Sequence, residues 1–143
     1  MKSGCCKFGL RKVAVEYDDT MVYRVRFLRS ADEGPVPVQF TRYLSGKSAD
    51  FAPLKSVALI DGPYSEIYQE VLKVPYGKTA TYSEIAERCG THARVVGNAM
   101  ARNPTPLIIP CHRIVSADGI GGFSPDIEIK RDLLTMEKKG LRP

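Results

Sequence analysis

Little in this chain invites metal or membrane chemistry. Of its 143 residues only two are histidine, His92 and His112, and four are cysteine, Cys5, Cys6, Cys89 and Cys111. The cysteines have no C-x-x-C or other paired metal spacing, so no structural zinc and no metal site is read, and a reducing compartment disfavours disulfides. Cys5 and Cys6 fall in a first strand or tail as incidental thiols. No apolar run approaches the roughly 20 residues that span a bilayer, and the opening MKSGCCKFGLRK lacks the apolar stretch of a secretory signal. A cytoplasmic protein is expected, nuclear if the source is eukaryotic, with no membrane partner. Low-complexity composition is also missing. With 43% hydrophobic and 26% charged residues, the chain is long enough for one substantial core or two small ones.

The net charge of +5 permits a polyanionic partner without requiring one. Residues 11–29 alternate apolar and polar in two bursts broken at Tyr17-Asp18-Asp19-Thr20, which predicts a β-hairpin. Residues 36–44 carry Val38, Phe40, Tyr43 and Leu44 at helical spacing, closed by Gly46. Residues 46–61 read as a connection. From Gly62 to Val74 the apolar residues Tyr64, Ile67, Tyr68, Val71 and Leu72 form one helical stripe, ended by Pro75. A second helix opens at Thr81 or Tyr82, with Thr81 and Glu84 as a capping box, and Gly90 stops it. A third runs from about His92 to Ala101, giving helix-turn-helix spacing. Its small residues Ala93, Gly97, Ala99 and Ala101 suit either tight helix packing or close approach of a ligand backbone. Residues 127–139 predict an amphipathic closing helix with Ile129, Leu133, Leu134 and Met136 inward, ended by Gly140.

The run Ile109-Pro110-Cys111-His112-Arg113-Ile114 sets a cysteine beside one of the two histidines, with Pro104, Pro106 and Pro110 stiffening the approach. Two readings stand side by side on these residues. Cys111 is a small buried hydrophobe, or it is a nucleophile whose thiolate is promoted by the imidazole and nearby arginines.

From Pro75 the chain reads PYGKTATYSEIAERCGTHARVVGNAMARNPTPLIIPCHRIVSADGIGGFS, and this run resembles the O6-alkylguanine-DNA alkyltransferases. The resemblance is carried by the PYGKT turn, the Tyr82 that opens a helix, RVVGNAM, NPTPLIIPCHR and the glycine-rich loop after it. Five motifs in order, across most of residues 64–140, are far more specific than any one. The N-terminal half resembles the family only loosely, around VQFTRYLSGK.

The resemblance implies an α/β protein with a small N-terminal ribonuclease-H-like α/β domain (residues 1–57, with linker). A mainly helical C-terminal domain (residues 58–143) carries the helix-turn-helix and the alkyl acceptor. It implies DNA repair by direct, stoichiometric, irreversible alkyl transfer from O6-alkylguanine in duplex DNA to Cys111. That is a single-turnover methyltransferase with no cofactor and no metal, binding through the minor groove as a monomer. His112 would accept the thiol proton through a water and Glu137 would orient the imidazole. From its residue type alone, Glu137 reads as a solvated helix-end carboxylate. Tyr82 would donate to a ring nitrogen of the leaving guanine, and Asn103 would hold the turn presenting Cys111. The carbonyls of Cys111 and Ile114 would accept from the exocyclic amine, and Ser124 would contact O6. Met100, Ile114, Phe123 and Ser124 would form the substrate pocket. Arg94, with Ala93, Thr81 and Tyr82, would contact DNA, Arg94 filling the gap left by a flipped base. Arg88, Arg94, Arg102 and Arg113 fall on or beside the helices placed against DNA.

Two positions depart from the family pattern. Phe123 stands where many relatives have tyrosine and Pro125 where many have glycine, so a stiffer loop and less tolerance for bulky groups such as benzyl are expected. Two other classes remain. One is a DNA-binding module with an inert Cys111, which thiol reactivity would separate. The other is a cysteine hydrolase using Cys111 and His112, for which no oxyanion loop is apparent.

Overall fold

The computed structural model describes residues 1–123 and 125–140. Alternating apolar residues build three antiparallel strands, β1 (Lys2–Phe8), β2 (Arg11–Asp18) and β3 (Met21–Leu28), in which Val13, Val15, Val22, Val25 and Phe27 all face one core. The turn falls where the acidic pair predicted it, with Asp19 in the left-handed region at φ 43°, a conformation that aspartate tolerates better than most residues. β1 is a full strand, with Cys5 buried in it and Cys6 half-buried.

Pro37 precedes α1 (Val38–Leu44), which buries Phe40 and Tyr43. Val38 is exposed, contrary to the predicted stripe. It sits in the first turn, before the helix reaches the sheet. The predicted connection is partly ordered: Lys55–Ser56 form β4, parallel to the start of β3, and Val57–Ile60 make one turn, α2. The Ser56 side chain accepts from the Ala58 amide and so caps that turn.

α3 (Ser65–Val71) buries Ile67, Tyr68 and Val71, while Leu72 is exposed. β5 (Ala80–Thr81) leads into α4 (Tyr82–Cys89), whose capping box forms as predicted, and Gly90 closes it in the left-handed conformation at φ 66°. α5 (Ala93–Ala101) follows three residues later. Cys111–Arg113 form one 3-10 turn running into β6 (Ile114–Val115), parallel to β5. α6 (Ile127–Gly140) closes the described chain, and its buried residues are Ile129, Lys130, Leu133 and Glu137. Leu134 and Met136, predicted inward, are only half-buried. The buried face contains two ionisable residues that polarity alone would place outside.

One core joins the sheet and α1 to Leu107, Ile108, Ile129 and Leu133. A second joins α3, α4 and α5 to Ile109 and Ile114. The segment leading to Cys111 therefore sends successive residues into opposite cores, which fixes the backbone between them.

Candidate active site

The approach to Cys111 is a constrained loop. The Asn103 side chain donates to the Ile109 carbonyl at 2.9 Å and accepts from the Thr105 amide at 3.0 Å. Thr105 and Ser56, both fully buried, share a 2.6 Å hydroxyl contact. Leu107 sits at φ 80°, a costly conformation for a leucine. Its burial in the first core holds it there. Cys111, 6% exposed, then lines one wall of a cleft of about 940 Å³ shared with Tyr82, Met100, Asn103, Gly122 and Phe123.

Behind Cys111 lies a buried polar network centred on Glu137. His112 Nε2 lies 2.5 Å from Glu137 Oε2, and both residues are buried. Glu137 also accepts from Arg113 Nε at 2.9 Å, the Gly77 amide at 2.8 Å and the Tyr43 hydroxyl. Burial alone would raise the Glu137 pKa. Hydrogen bonds from His112 and Arg113, with the Arg113 charge, outweigh that and hold it down to about 2. An ionised carboxylate only accepts, so His112 Nε2 carries the proton toward it. Nδ1 is left as a free acceptor, buried and with no partner among the described residues. Burial lowers the His112 pKa against the pull of Glu137, so the imidazole is neutral and Nδ1 is an available base.

Burial pushes the Cys111 thiol up to about 11, opposed by the Asn103 side chain and the Lys130 charge. The expectation that an adjacent imidazole would depress it fails, because a neutral histidine supplies no positive field. Thiol acidity does not single out Cys111, since burial also raises Cys5, Cys6 and Cys89. Its place in the cleft does.

Two residues of this centre escaped the sequence reading. Tyr43 was read only as an apolar position of α1, yet its hydroxyl reaches both Glu137 and, at 3.1 Å, His112 Nε2. Lys130 is fully buried. Its ammonium donates to the Ile114 carbonyl at 2.6 Å and the Gly122 carbonyl at 3.2 Å, and lies 5.7 Å from the Tyr82 ring centroid. Burial lowers its pKa to about 8. The available signal was phase: Lys130, Leu133, Leu134 and Glu137 share the i, i+3, i+4, i+7 face of α6.

Tyr82 is half-buried at the head of α4, and burial raises its pKa. Gly121 lies at φ 79°, and a Cβ there would sit 2.9 Å from the Tyr82 hydroxyl, so only glycine lets the loop close on it. Phe123 packs edge-on against Phe27 of β3 at 5.7 Å. Ser124 lies outside the described residues. The Ile114 side chain is buried in the second core rather than in the cleft, and its carbonyl faces Lys130.

The remaining predicted contacts fall elsewhere. Arg94 is exposed on α5, outside the cleft lining, with Ala93 half-buried beside it. The Thr81 hydroxyl accepts from the Glu84 amide. Arg113 turns inward to Glu137, the Val74 carbonyl and the Tyr76 ring, which removes it from the expected DNA-facing set. Ala99 faces the second core, while a Cβ on Gly97 would meet nothing within 4 Å. Internal helix packing therefore does not require that glycine. Among the described residues, no three His, Cys, Asp or Glu side chains cluster to hold a metal ion. No described helix is long and apolar enough to cross a membrane.

Comparison with known proteins bears on this geometry. The profile described as "6-O-methylguanine DNA methyltransferase, DNA binding domain" matches residues 63–139. A methylated-DNA–protein-cysteine methyltransferase of Methanopyrus kandleri is 44% identical over 96 residues, 67% of this chain and 73% of that protein. One from Metallosphaera sedula is 36% identical over 128 residues, 84% of this chain and 82% of that one. The crystal structure of Mycobacterium tuberculosis OGT in complex with DNA superposes with TM-score 0.77 at 27% identity, covering 95% of this chain and 92% of that one. The O6-methylguanine-DNA methyltransferase of Pyrococcus kodakaraensis gives TM-score 0.72 at 26% identity, covering 94% and 97%.

Proposed function

Because this chain belongs to the 6-O-methylguanine DNA methyltransferase family, we propose that Cys111 takes the alkyl group from O6-alkylguanine in duplex DNA, once per molecule and irreversibly. The protein is a transferase that repairs DNA by alkyl transfer, and DNA is its partner. It works with that DNA in the cytoplasm, or in the nucleus of a eukaryotic cell, as a monomer.

In the proposed reaction the Cys111 sulfur forms a bond to the alkyl carbon as the carbon–O6 bond breaks, and the electron pair passes to the guanine. The thiol proton goes to His112 Nδ1 through a water. Tyr82 donates a proton or hydrogen bond to a ring nitrogen, which improves the leaving group. A thiolate is a soft nucleophile suited to saturated carbon, and the thioether product resists hydrolysis. The Ile114 carbonyl retains a second lone pair for the exocyclic amine while it accepts from Lys130. Met100 and Phe123 flank the base, Ser124 contacts O6, and Asn103 maintains the loop presenting the sulfur.

Cys111 is recessed, so the nucleotide must leave the stack to reach it. α5 enters the minor groove, with Arg94 in the vacated space and Ala93, Thr81 and Tyr82 near the strand. The groove suits a repair protein indifferent to sequence, because it carries little base-specific information. The open surface at Gly97 supports close approach of DNA to this helix. The observation that carries the proposal is the placing of Cys111 at a cleft with Tyr82 and Asn103, against a buried His112 whose Nδ1 has no partner among the described residues.

The test is mass spectrometry of the protein after mixing with a duplex holding one O6-methylguanine, beside an unmodified duplex. A gain of one CH2 unit on the Cys111 peptide, stopping at one per molecule, is the expected result. Binding of the damaged duplex without any mass gain would leave only a DNA-binding module.

A further inference from the structure

The cleft beside Cys111 exceeds what the reacting base requires. Its volume of about 940 Å³ is near the upper end for a whole small-molecule site, and one alkylated purine fills only part of it. The wall opposite α5 is formed by β3, from Arg24 to Leu28, with Arg102 on the helical side. Three lining residues are arginines and none is a carboxylate. Arg24 and Arg26 stand two apart on one strand, so their side chains leave the same face. Both are exposed while Val25 and Phe27 turn into the core.

Among the described residues these guanidiniums have no acidic partner: Arg11, Lys12, Lys73 and Arg131 each meet a carboxylate, but Arg24, Arg26 and Arg102 make no ion pair. Glu16 pairs with Arg24 in the β2–β3 register, yet no salt bridge joins them. The rim is also held firmly. The Val25 amide donates to the Pro104 carbonyl at 2.9 Å, docking the edge of β3 on the same turn that Asn103 braces. Backbone contacts, rather than flexible side chains, therefore set the place of the two arginines relative to Cys111.

We propose that Arg24 and Arg26, with Arg102 across the cleft, bind phosphates of the DNA strand carrying the everted nucleotide, so that the N-terminal sheet shares in DNA binding. The inference rests on the DNA-repair reading above. Guanidinium groups match phosphate oxygens in pairs, and the cleft places them beside the path by which an everted nucleotide stays joined to its strand. A free base has no phosphates and should not sense them.

The test uses the Arg24→Gln/Arg26→Gln protein and measures affinity for a duplex containing O6-methylguanine across a salt series. Alkylation of Cys111 by free O6-methylguanine base is measured in parallel. Both side chains are exposed, so thermal unfolding should match the parent. Two lost phosphate contacts should flatten the log affinity against log salt slope by about 1.8 and weaken low-salt binding roughly tenfold or more. The free-base rate should stay unchanged. An unaltered slope and affinity overturns the proposal, and so does an equal loss of rate with free base. Failure of the parent protein to alkylate with either substrate would sink the repair reading instead.

Discussion

The two sides of Cys111 are built on different principles. In front, the cleft is open and largely apolar, closed by a loop whose Gly122 carbonyl is held by Lys130. Behind, every oxygen of Glu137 is engaged, by His112, Arg113, Tyr43 and a backbone amide, in a buried network. On the proposed function the front admits the nucleobase, while the back keeps His112 in one orientation and one charge state. Substitutions behind should therefore harm folding and chemistry together, whereas those in front should alter chemistry and substrate range with little effect on stability.

The severest break in that contrast is Glu137→Gln. It leaves the half-buried Arg113 against a neutral partner and frees the His112 ring, and losing one member of such a pair typically costs about 3–5 kcal/mol. A matching fall in denaturant midpoint is expected, with alkyl transfer slowed about 10²-fold or more. The same carboxylate sets an acid limit. Its folded-state pKa lies below the usual 4.5, at about 2, so its contribution is full above about pH 5 and is lost as pH falls toward 2. In Glu137→Gln that part of the acid-unfolding curve should vanish.

Lys130→Met sharpens the comparison from the front. The methionine keeps the apolar stem but removes the bonds to Ile114 and Gly122 and the charge opposing the rise of the Cys111 pKa. Single-turnover alkylation should fall about ten- to a hundredfold, while thermal stability changes by less than in Glu137→Gln. An unchanged rate would show that the ammonium is structural only. Tyr43→Phe is milder, because Glu137 keeps three other partners. About 1–2 kcal/mol of stability and less than tenfold in rate should be lost, both recorded on the same sample. The smallest effect belongs to Pro125→Gly. Loosening the loop should raise the rate with O6-benzylguanine relative to O6-methylguanine only a few-fold.

The same contrast explains what the sequence made legible. The capped helix α4 was readable because its signals are local, a Thr-x-x-Glu box and a glycine stop, whereas the residues around Cys111 left two readings open, and the roles expected of Cys111, Tyr82 and Asn103 came from the family resemblance. Tyr43 was invisible as a polar participant because it meets Glu137 across 94 residues of chain, and no periodicity encodes that meeting. Lys130 was passed over because lysine on an amphipathic helix normally faces water. Arg113 was misread for the opposite reason. The resemblance set it beside the helices expected against DNA, but the buried Glu137 draws it inward. The N-terminal hairpin followed from alternation, while the order in residues 55–60 depended on pairing with β3, which short polar-apolar mixtures do not announce.

The resting Cys111 thiol, pushed up to about 11, has a consequence for the lifetime of each molecule. A protein that reacts only once, as proposed above, must outlast many encounters with oxidants and stray electrophiles before it meets a lesion. A thiol that stays protonated and recessed is nearly inert toward those agents. On the proposed mechanism one burial does two things: it leaves water and small reagents a quiet sulfur, and it makes an everted base held against that sulfur the event that calls for the proton to move.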